Sequence, residues 1–429
     1  MPRHCDAIYD MIGLVHLMRR FRVPGRFLVA LSLTASVLGG CAAGVSAPHP
    51  EPAARVPLAD PAVCGLWNAI GAAPTDAQLV DAAQRYQVVI LNAWETAAQK
   101  RLKALNPAIT VLVYKDLSST RSYETATLHG GLLPTGVDFA ATEREHPDWF
   151  ATDTGGRRVE WAPYPQHWQM AVWNADYQRE WTTAVTTEAV RDGWDGVFAD
   201  NDFASLGFYS DAVLAGTSSR AETDRLLRDG LDRMVAVAGS ALAAQGKLFI
   251  PNLSEARLYP GRWTEHARFG GAMEENFAQY AGDELLTWQG TQWEEMVRTS
   301  SDGKHLNLLV TKTAGVPESS PGAAGRAGFA GAALLAGDRA CWTGPDAGDY
   351  SRPAFSGYQS LALGEPRGPA VQQDSGVWTR EFTGGWVAVN PSDADETVTP
   401  PAGLSTTDGT AITSDLTISA ADGEILVRR

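Results

Sequence analysis

The sequence predicts an α/β protein: a (β/α)8 TIM barrel followed by a small all-β domain at the C-terminal end. Three observations point there. From Val63 onward, eight short apolar runs alternate with helical patterns. No Gly-rich strand–turn–helix fingerprint follows the early strands, so a doubly wound sheet lacks support. After about Leu363 the helical patterns stop, and period-2 alternation around a Gly384-Gly385 turn takes over.

VCGLWNAI (63–70) reads as the first strand and TDAQLVDAAQRY as a helix with Thr75 as its N-cap. QVVILNAW (87–94) is the second strand, followed by the helical ETAAQKRLKAL. ITVLVYKDL (109–117) is the third. A long excursion rich in Trp, Tyr and His then precedes WDGVFADND (194–202), the fourth strand with its end loop. The amphipathic stretch DRLLRDGLDRMVAVAGSALAAQG leads to KLFIPNL (247–253), the fifth. GAMEENF (271–277) is the sixth, TWQGTQWEEMVRTS a helix and HLNLLVTKT (305–313) the seventh. AGRAGFAGAALLAG is helical or ambiguous, and RACWTG (339–344) is the eighth strand. The barrel is thus expected over 63–362 and a β-sandwich-like domain over 363–429.

The chain has 429 residues, 44% of them hydrophobic, with 14 Trp, which excludes a disordered protein. The net charge is -15. The first forty residues hold five Arg and two Asp, so the rest carries 30 bases against 48 acids. A body that acidic repels a phosphate backbone and sets nucleic acid aside as a partner.

Arg19, Arg20, Arg22 and Arg26 precede the apolar run FLVALSLTASVL (27–38), then Gly39-Gly40-Cys41. A basic region, an apolar stretch and small residues describe a secretory signal over 1–40, with Met18 as an alternative start. Twelve apolar residues are too few to span a bilayer. Leu38-Gly39-Gly40-Cys41 also resembles the bacterial lipoprotein signal, in which Cys41 is lipidated; an uncleaved anchor or a buried apolar helix is the other reading. Residues 41–62, with five prolines between Ala42 and Pro61, read as a tether. The expectation is an exported protein, lipid-anchored at the outer face of the cytoplasmic membrane or at the cell surface. Cys64 and Cys341 are too few and too far apart for a zinc site. They either pair as a disulfide or stay as two buried thiols.

In a barrel of this class, the active residues stand at the C-terminal ends of the strands. Those ends supply Asn92, Trp94 and Glu95, then Lys115 and Asp116, then Asp200, Asn201 and Asp202. Asn252 and Glu255, Glu274 and Glu275, and Lys312 follow. Carboxylates dominate, while no Ser-His-Asp, Cys-His or HExxH arrangement and no metal constellation stands out. Carboxylates facing each other across a pocket are what glycoside hydrolysis needs, one as acid and the other as nucleophile or base. Asp200 follows the uncharged run Gly196–Ala199 and so emerges at the rim, either as a catalytic carboxyl or as a turn or helix cap. Glu274 and Glu275 are adjacent, so at most one points inward, and a structural ion pair is the competing reading. Trp149, Trp161, Tyr164, His167, Trp168 and Trp173 suit flat sugar faces, or else pack the excursion onto the barrel. Lys115 and Lys312 bind substrate or neutralise neighbouring carboxylates. Asp195 ends a helix or pairs with a base.

HPDWFATDTGGRRVEW (146–161), MAVWNADYQREW (170–181) and GWDGVFADND (193–202) together resemble hypothetical glycoside hydrolase family 15, a group of bacterial (β/α)8 proteins. AMEENFAQY (272–280) is similar to the corresponding strand of endo-α-1,4-polygalactosaminidases, with Asn276 where that family has Cys. REFTGGWVAVNPS (380–392) is similar to the β domain that often follows such barrels. The resemblance implies Asp200 and Glu274 as catalytic carboxyls, with Glu275 as the alternative. Glu274 is preferred because the second carboxylate position tolerates Gln in the related family.

The sequence therefore leads to the expectation of a surface lipoprotein that hydrolyses an extracellular polysaccharide or oligosaccharide, with no metal or organic cofactor. Trp94, Lys115, Asp116, Trp149, Trp173, Asn201, Asn252 and Lys312 are its expected substrate contacts. The alternative is a non-catalytic carbohydrate-binding lipoprotein. Retention or inversion at the anomeric carbon would follow the carboxyl separation, roughly 5 against 6.5–9.5 Å.

Overall fold

Short apolar runs buried on both faces, bounded by helices, build a closed ring of parallel strands. The computed structural model describes residues 62–253, 258–278, 291–313, 322–336, 339–344, 350 and 353–428. The expectations for the signal, Met18, Cys41, the tether and Glu255 lie outside these residues, except for Ala62. In chain order come β1 (Cys64–Ala69), α1 (Asp76–Arg85), β2 (Val88–Leu91), α2 (Thr96–Leu105) and β3 (Thr110–Asp116). The excursion holds the short strands β4 (Ser119–Arg121) and β5 (His167–Gln169), paired antiparallel, and α3 (Phe139–Glu145). Then follow α4 (Ala175–Arg191), β6 (Gly196–Asp200), α5 (Arg220–Ala244), β7 (Leu248–Pro251) and α6 (Arg262–Ala267). β8 (Gly271–Glu274), α7 (Thr291–Ser301), β9 (Leu306–Val310), α8 (Gly322–Leu335) and β10 (Ala340–Thr343) complete the ring.

The eight barrel strands run in the order β7-β6-β3-β2-β1-β10-β9-β8. The ring closes between β7 and β8 through a parallel bridge of Asn252 with Met273, and Leu253 N–H reaches Met273 O at 2.9 Å. Helix starts are set locally. Thr75 and Gln78 form a capping box on α1, and the side chains of Asn174 and Ser219 accept the first free N–H groups of α4 and α5.

Strand alternation sorts side chains into two sets. Leu66, Val88, Ile90, Leu112, Tyr114, Phe198, Ile250, Met273, Leu308 and Val310 fill the barrel interior together with Cys64 and Cys341. Their neighbours, among them Trp67, Val89, Val111, Val197 and Phe249, pack outward against the helices. Cys64 and Cys341 form a disulfide across β1 and β10, the first and last barrel strands.

The ambiguous Gly/Ala-rich segment is helix α8. It shows no polar stripe because it is buried from two sides, by the barrel and by the C-terminal sheet. That sheet has five antiparallel strands in the order 371–372, 378–381, 385–390, 422–428 and 404–406, beside a separate pairing of 396–398 with 416–418. Phe382, Val387 and Ile425 share one apolar cluster with Trp293, Phe329 and Leu334 of the barrel helices. The sheet approaches α8 closely at Gly423, where a Cβ would stand 3.0 Å from Ala327 Cα. Arg380 donates to the Leu334 carbonyl at 2.9 Å and so satisfies the open C-terminal end of α8.

Candidate active site

Two residues beyond the last inward apolar side chain of each barrel strand, the sequence turns polar. The alternation that buries Leu66, Ile90, Tyr114, Phe198, Ile250, Met273, Val310 and Cys341 continues to Asn68, Asn92, Asp116, Asp200, Asn252, Glu275, Lys312 and Thr343. An apolar plug thus ends in a polar rim at the C-terminal face, where barrels of this kind carry their sites.

Asp200 is held from three sides. Tyr114, beneath it on β3, donates its hydroxyl to Oδ2 at 2.8 Å; Asn252 Nδ2 donates to Oδ1 at 3.0 Å and the Asn201 N–H to the same oxygen at 2.9 Å. Asn201 turns the chain away at φ +66°, a left-handed conformation that Asn tolerates better than most residues. Two contacts hold that turn. The Ser118 hydroxyl donates to Asn201 O at 2.8 Å, and the Tyr209 hydroxyl to its side-chain oxygen at 2.7 Å. Burial, then the charges of Glu275 and Asp116, push the Asp200 carboxyl up to about 6.

Glu275 faces Asp200. The same Asn252 Nδ2 donates to its Oε2 at 2.8 Å, Tyr350 donates to Oε1 at 2.6 Å, and the Lys312 ammonium lies 3.4 Å away. Burial pushes its carboxyl up, but Lys312, Tyr350 and Asn252 together outweigh that and leave it below the usual glutamate range. Of two neighbouring carboxyls, one is therefore poised to hold a proton and the other to stay charged.

Glu274 is not part of this arrangement, and the preference for it is corrected by strand parity. Met273 points into the barrel, so Glu274 points out, where its carboxylate accepts from Gln292 of α7 at 2.9 Å. Lys115 likewise faces outward: it is fully buried between β3 and α4 and pairs with Glu188 at 2.7 Å. Asp116 lies beneath the rim and organises the following turn, accepting the N–H groups of Ser118 and Ser119 at 2.9 Å each. Trp149 is buried, stacked on His146 at 3.9 Å. Trp173 is wedged against Gly230 of α5, where a Cβ would meet its backbone at 2.9 Å. Trp173 is half-buried there. Trp94 is half-buried and stacked on His129 at 4.0 Å.

Asn201, Asn252 and Lys312 are gathered at the carboxyl pair as expected from their strand ends. Asp202 is drawn below it instead, accepting from Arg262 and His266 of α6. Asp195 pairs with Lys103 at 3.0 Å. Among the excursion aromatics, Trp161 is buried and stacked on Tyr209 at 4.0 Å, while Tyr164 beside it stays 52% exposed. Burial, then the negative charges of Glu275 and Asp200, raise the Tyr164 phenol.

Sequence reasoning missed Tyr114, Arg121, Tyr209 and Tyr350. Arg121 Nη2 donates to the Tyr114 hydroxyl at 3.2 Å and so orients the donor that Asp200 receives. Tyr114 carried a usable signal, because its hydroxyl tips the inward face of β3 just below the rim residue Asp116.

A closed parallel barrel with this rim is of the glycoside hydrolase-like (β/α)8 class. The sequence model described as hypothetical glycosyl hydrolase family 15 matches residues 103–386, and the chain belongs to that family. None of the curated proteins matches the sequence. Similar solved structures include the cycloalternan-degrading enzyme of Trueperella pyogenes, with 13% identity and a TM-score of 0.46 over 86% of this chain and 62% of that one. The cycloalternan-forming enzyme of Listeria monocytogenes, in complex with a pentasaccharide substrate, has 9% identity and a TM-score of 0.45 over 86% and 41%. The type III pullulan hydrolase of Thermococcus kodakarensis has 11% identity and a TM-score of 0.40 over 85% and 75%. The chain spans less than two thirds of the first two of these enzymes.

Proposed function

We propose that this chain is an exported, lipid-anchored glycoside hydrolase acting on an extracellular polysaccharide through Asp200 and Glu275. The observation that carries the reading is the single amide nitrogen of Asn252, which contacts both carboxyls and holds them facing one another at the rim. Family membership supports hydrolysis of an O-glycosyl bond, and the exposed ring of Tyr164 offers a sugar face something to stack on. Export rests on the signal pattern over 1–40 and tethering on Cys41. A disulfide inside the barrel suits an oxidising compartment.

The test is reducing-end release from bacterial exopolysaccharides, galactosamine polymers and α-glucans by the full chain, beside Asp200→Asn and Glu275→Gln. Release by the parent, cut by about 10²–10⁴-fold in each folded variant, is the expected result. Undiminished release by either variant removes that residue from the pair. Tight binding to one polymer with no release from any would replace hydrolysis with the non-catalytic binding reading.

A further inference from the structure

Asn252 sets a limit on how far apart the facing oxygens of the two carboxyls can be. Its Nδ2 lies 3.0 Å from Asp200 Oδ1 and 2.8 Å from Glu275 Oε2, so those two oxygens are at most 5.8 Å apart, the value for a straight line through the nitrogen. An amide nitrogen directs its two hydrogens about 120° apart, which brings the oxygens closer still. Inverting glycosidases keep their carboxyls about 6.5–9.5 Å apart to seat a water between sugar and base, whereas retaining enzymes hold them at about 5–5.5 Å.

The surroundings of the two groups differ in kind. A cation and a phenol, Lys312 and Tyr350, lie against Glu275. Among the described residues, the hydrogen bonds to Asp200 come from neutral donors, Tyr114, Asn252 and the Asn201 N–H, and the largest charge effects on it are those of the carboxylates Glu275 and Asp116. Arg121 stops at the Tyr114 hydroxyl.

We infer, on the hydrolase reading above, that the reaction proceeds with retention of anomeric configuration, Glu275 serving as nucleophile and Asp200 as acid and base. A Glu275 oxygen attacks the anomeric carbon from the face opposite the leaving group. The bond from that carbon to the glycosidic oxygen breaks while the Asp200 proton passes to that oxygen. This leaves a glycosyl ester on Glu275 and a carboxylate at Asp200. Asp200 then takes a proton from water, whose oxygen attacks the same carbon. The ester breaks, the sugar leaves with its original configuration, and both carboxyls return to their starting states. Lys312 and Tyr350 stabilise Glu275 as the anion that attacks and as the one that departs.

The experiment follows the anomer first formed, by proton NMR, on whichever polymer the full chain cleaves. Glu275→Ala and Asp200→Ala are then supplied with azide and the 2,4-dinitrophenyl glycoside of the released sugar, with circular dichroism establishing that each is folded. The expected result is a retained anomer from the parent, an inverted glycosyl azide from Glu275→Ala and a retained one from Asp200→Ala. Mass spectrometry of Asp200→Ala with the same glycoside, which needs no second variant to fold, should find the sugar on the peptide carrying Glu275. An inverted first anomer with hydrolysis intact overturns retention while sparing the hydrolase. A sugar on the peptide carrying Asp200 reverses the roles, and release from no polymer in the panel overturns the hydrolase reading and this one with it.

Discussion

Cys64 and Cys341 lie opposite each other across the seam where the first barrel strand meets the last, with Cα atoms 4.2 Å apart and 277 residues between them. Both belong to the interior cluster, so the cross-link closes the ring from inside. Cross-linking so long a loop removes much of the unfolded chain's freedom. Replacing both cysteines by serine should lower the unfolding free energy by about 2–4 kcal/mol. Urea denaturation of parent and variant, with and without reductant, checks this, and a parent indifferent to reductant would contradict it.

Glu274 and Glu275 are one residue apart and face opposite ways, which separates their variants sharply. Glu275→Gln should lose about 10²–10⁴-fold in turnover. Glu274→Gln should keep turnover within a few-fold, because the neighbouring Met273 is the inward residue and Glu274 turns instead to Gln292 of α7. Polymer cleavage by the two folded variants decides between them. Equal losses would mean that strand parity does not govern this site.

That pair also marks where the sequence stops being readable. The barrel was legible because eight apolar runs carry the strand period, and Asp200 because nothing charged precedes it on its strand. Choosing between Glu274 and Glu275 required knowing that Met273 lies inside, which follows from the closed ring and not from adjacent letters. Lys115 occupies the strand end as expected, but its partner Glu188 sits 73 residues later on α4, and only packing reveals that it faces outward. Trp149 and Trp173 carried a sugar-binding signal that core packing absorbs equally well. Tyr350 reaches Glu275 from 75 residues away with no local pattern to announce it. Asn68 would have been found by extending the inward alternation of β1 past Leu66.

Tyr164 offers an exposed ring, with Trp161 behind it at 6.5 Å, and its phenol feels the charges of Glu275 and Asp200. An aromatic surface of this kind contributes about 0.5–1.5 kcal/mol to contact with a flat partner. Tyr164→Ala should therefore raise KM by roughly 2- to 13-fold with kcat nearly unchanged. Steady-state kinetics on the cleaved polymer test it, and an unaltered KM would remove Tyr164 from the substrate path.

Lys115 and Glu188 form a buried pair in which burial lowers the lysine and raises the glutamate, each opposed by the other's charge. Removing one partner leaves a charge without compensation, so Lys115→Met should destabilise the fold by about 3–5 kcal/mol. Lys115→Met combined with Glu188→Leu should recover much of that loss. Denaturation midpoints of the single and double variants provide the measurement. A stable single variant with altered KM would instead return Lys115 to the site.

Asp200 couples activity to stability with a definite sign. Its carboxyl titrates at about 6 in the folded protein, above the ordinary aspartate value of 3.8. Between those two values the folded state binds more protons than the unfolded one, so stability falls as pH rises from about 4 to 6. Above that range the full penalty of burying the charge is present. Asp200→Asn removes the charge, and at pH 7 it should stabilise the protein by about 1–3 kcal/mol while abolishing turnover. The gain should shrink towards zero near pH 4, where the parent carboxyl is protonated in both states. On the acid side of the mechanism, kcat/KM should decline as pH rises through about 6, where Asp200 loses the proton it must donate. Melting of parent and variant across pH 4–8, paired with the pH profile of kcat/KM, tests both halves. A variant less stable than the parent at pH 7 would show that the hydrogen bonds from Tyr114 and Asn252 outweigh the cost of burying the charge.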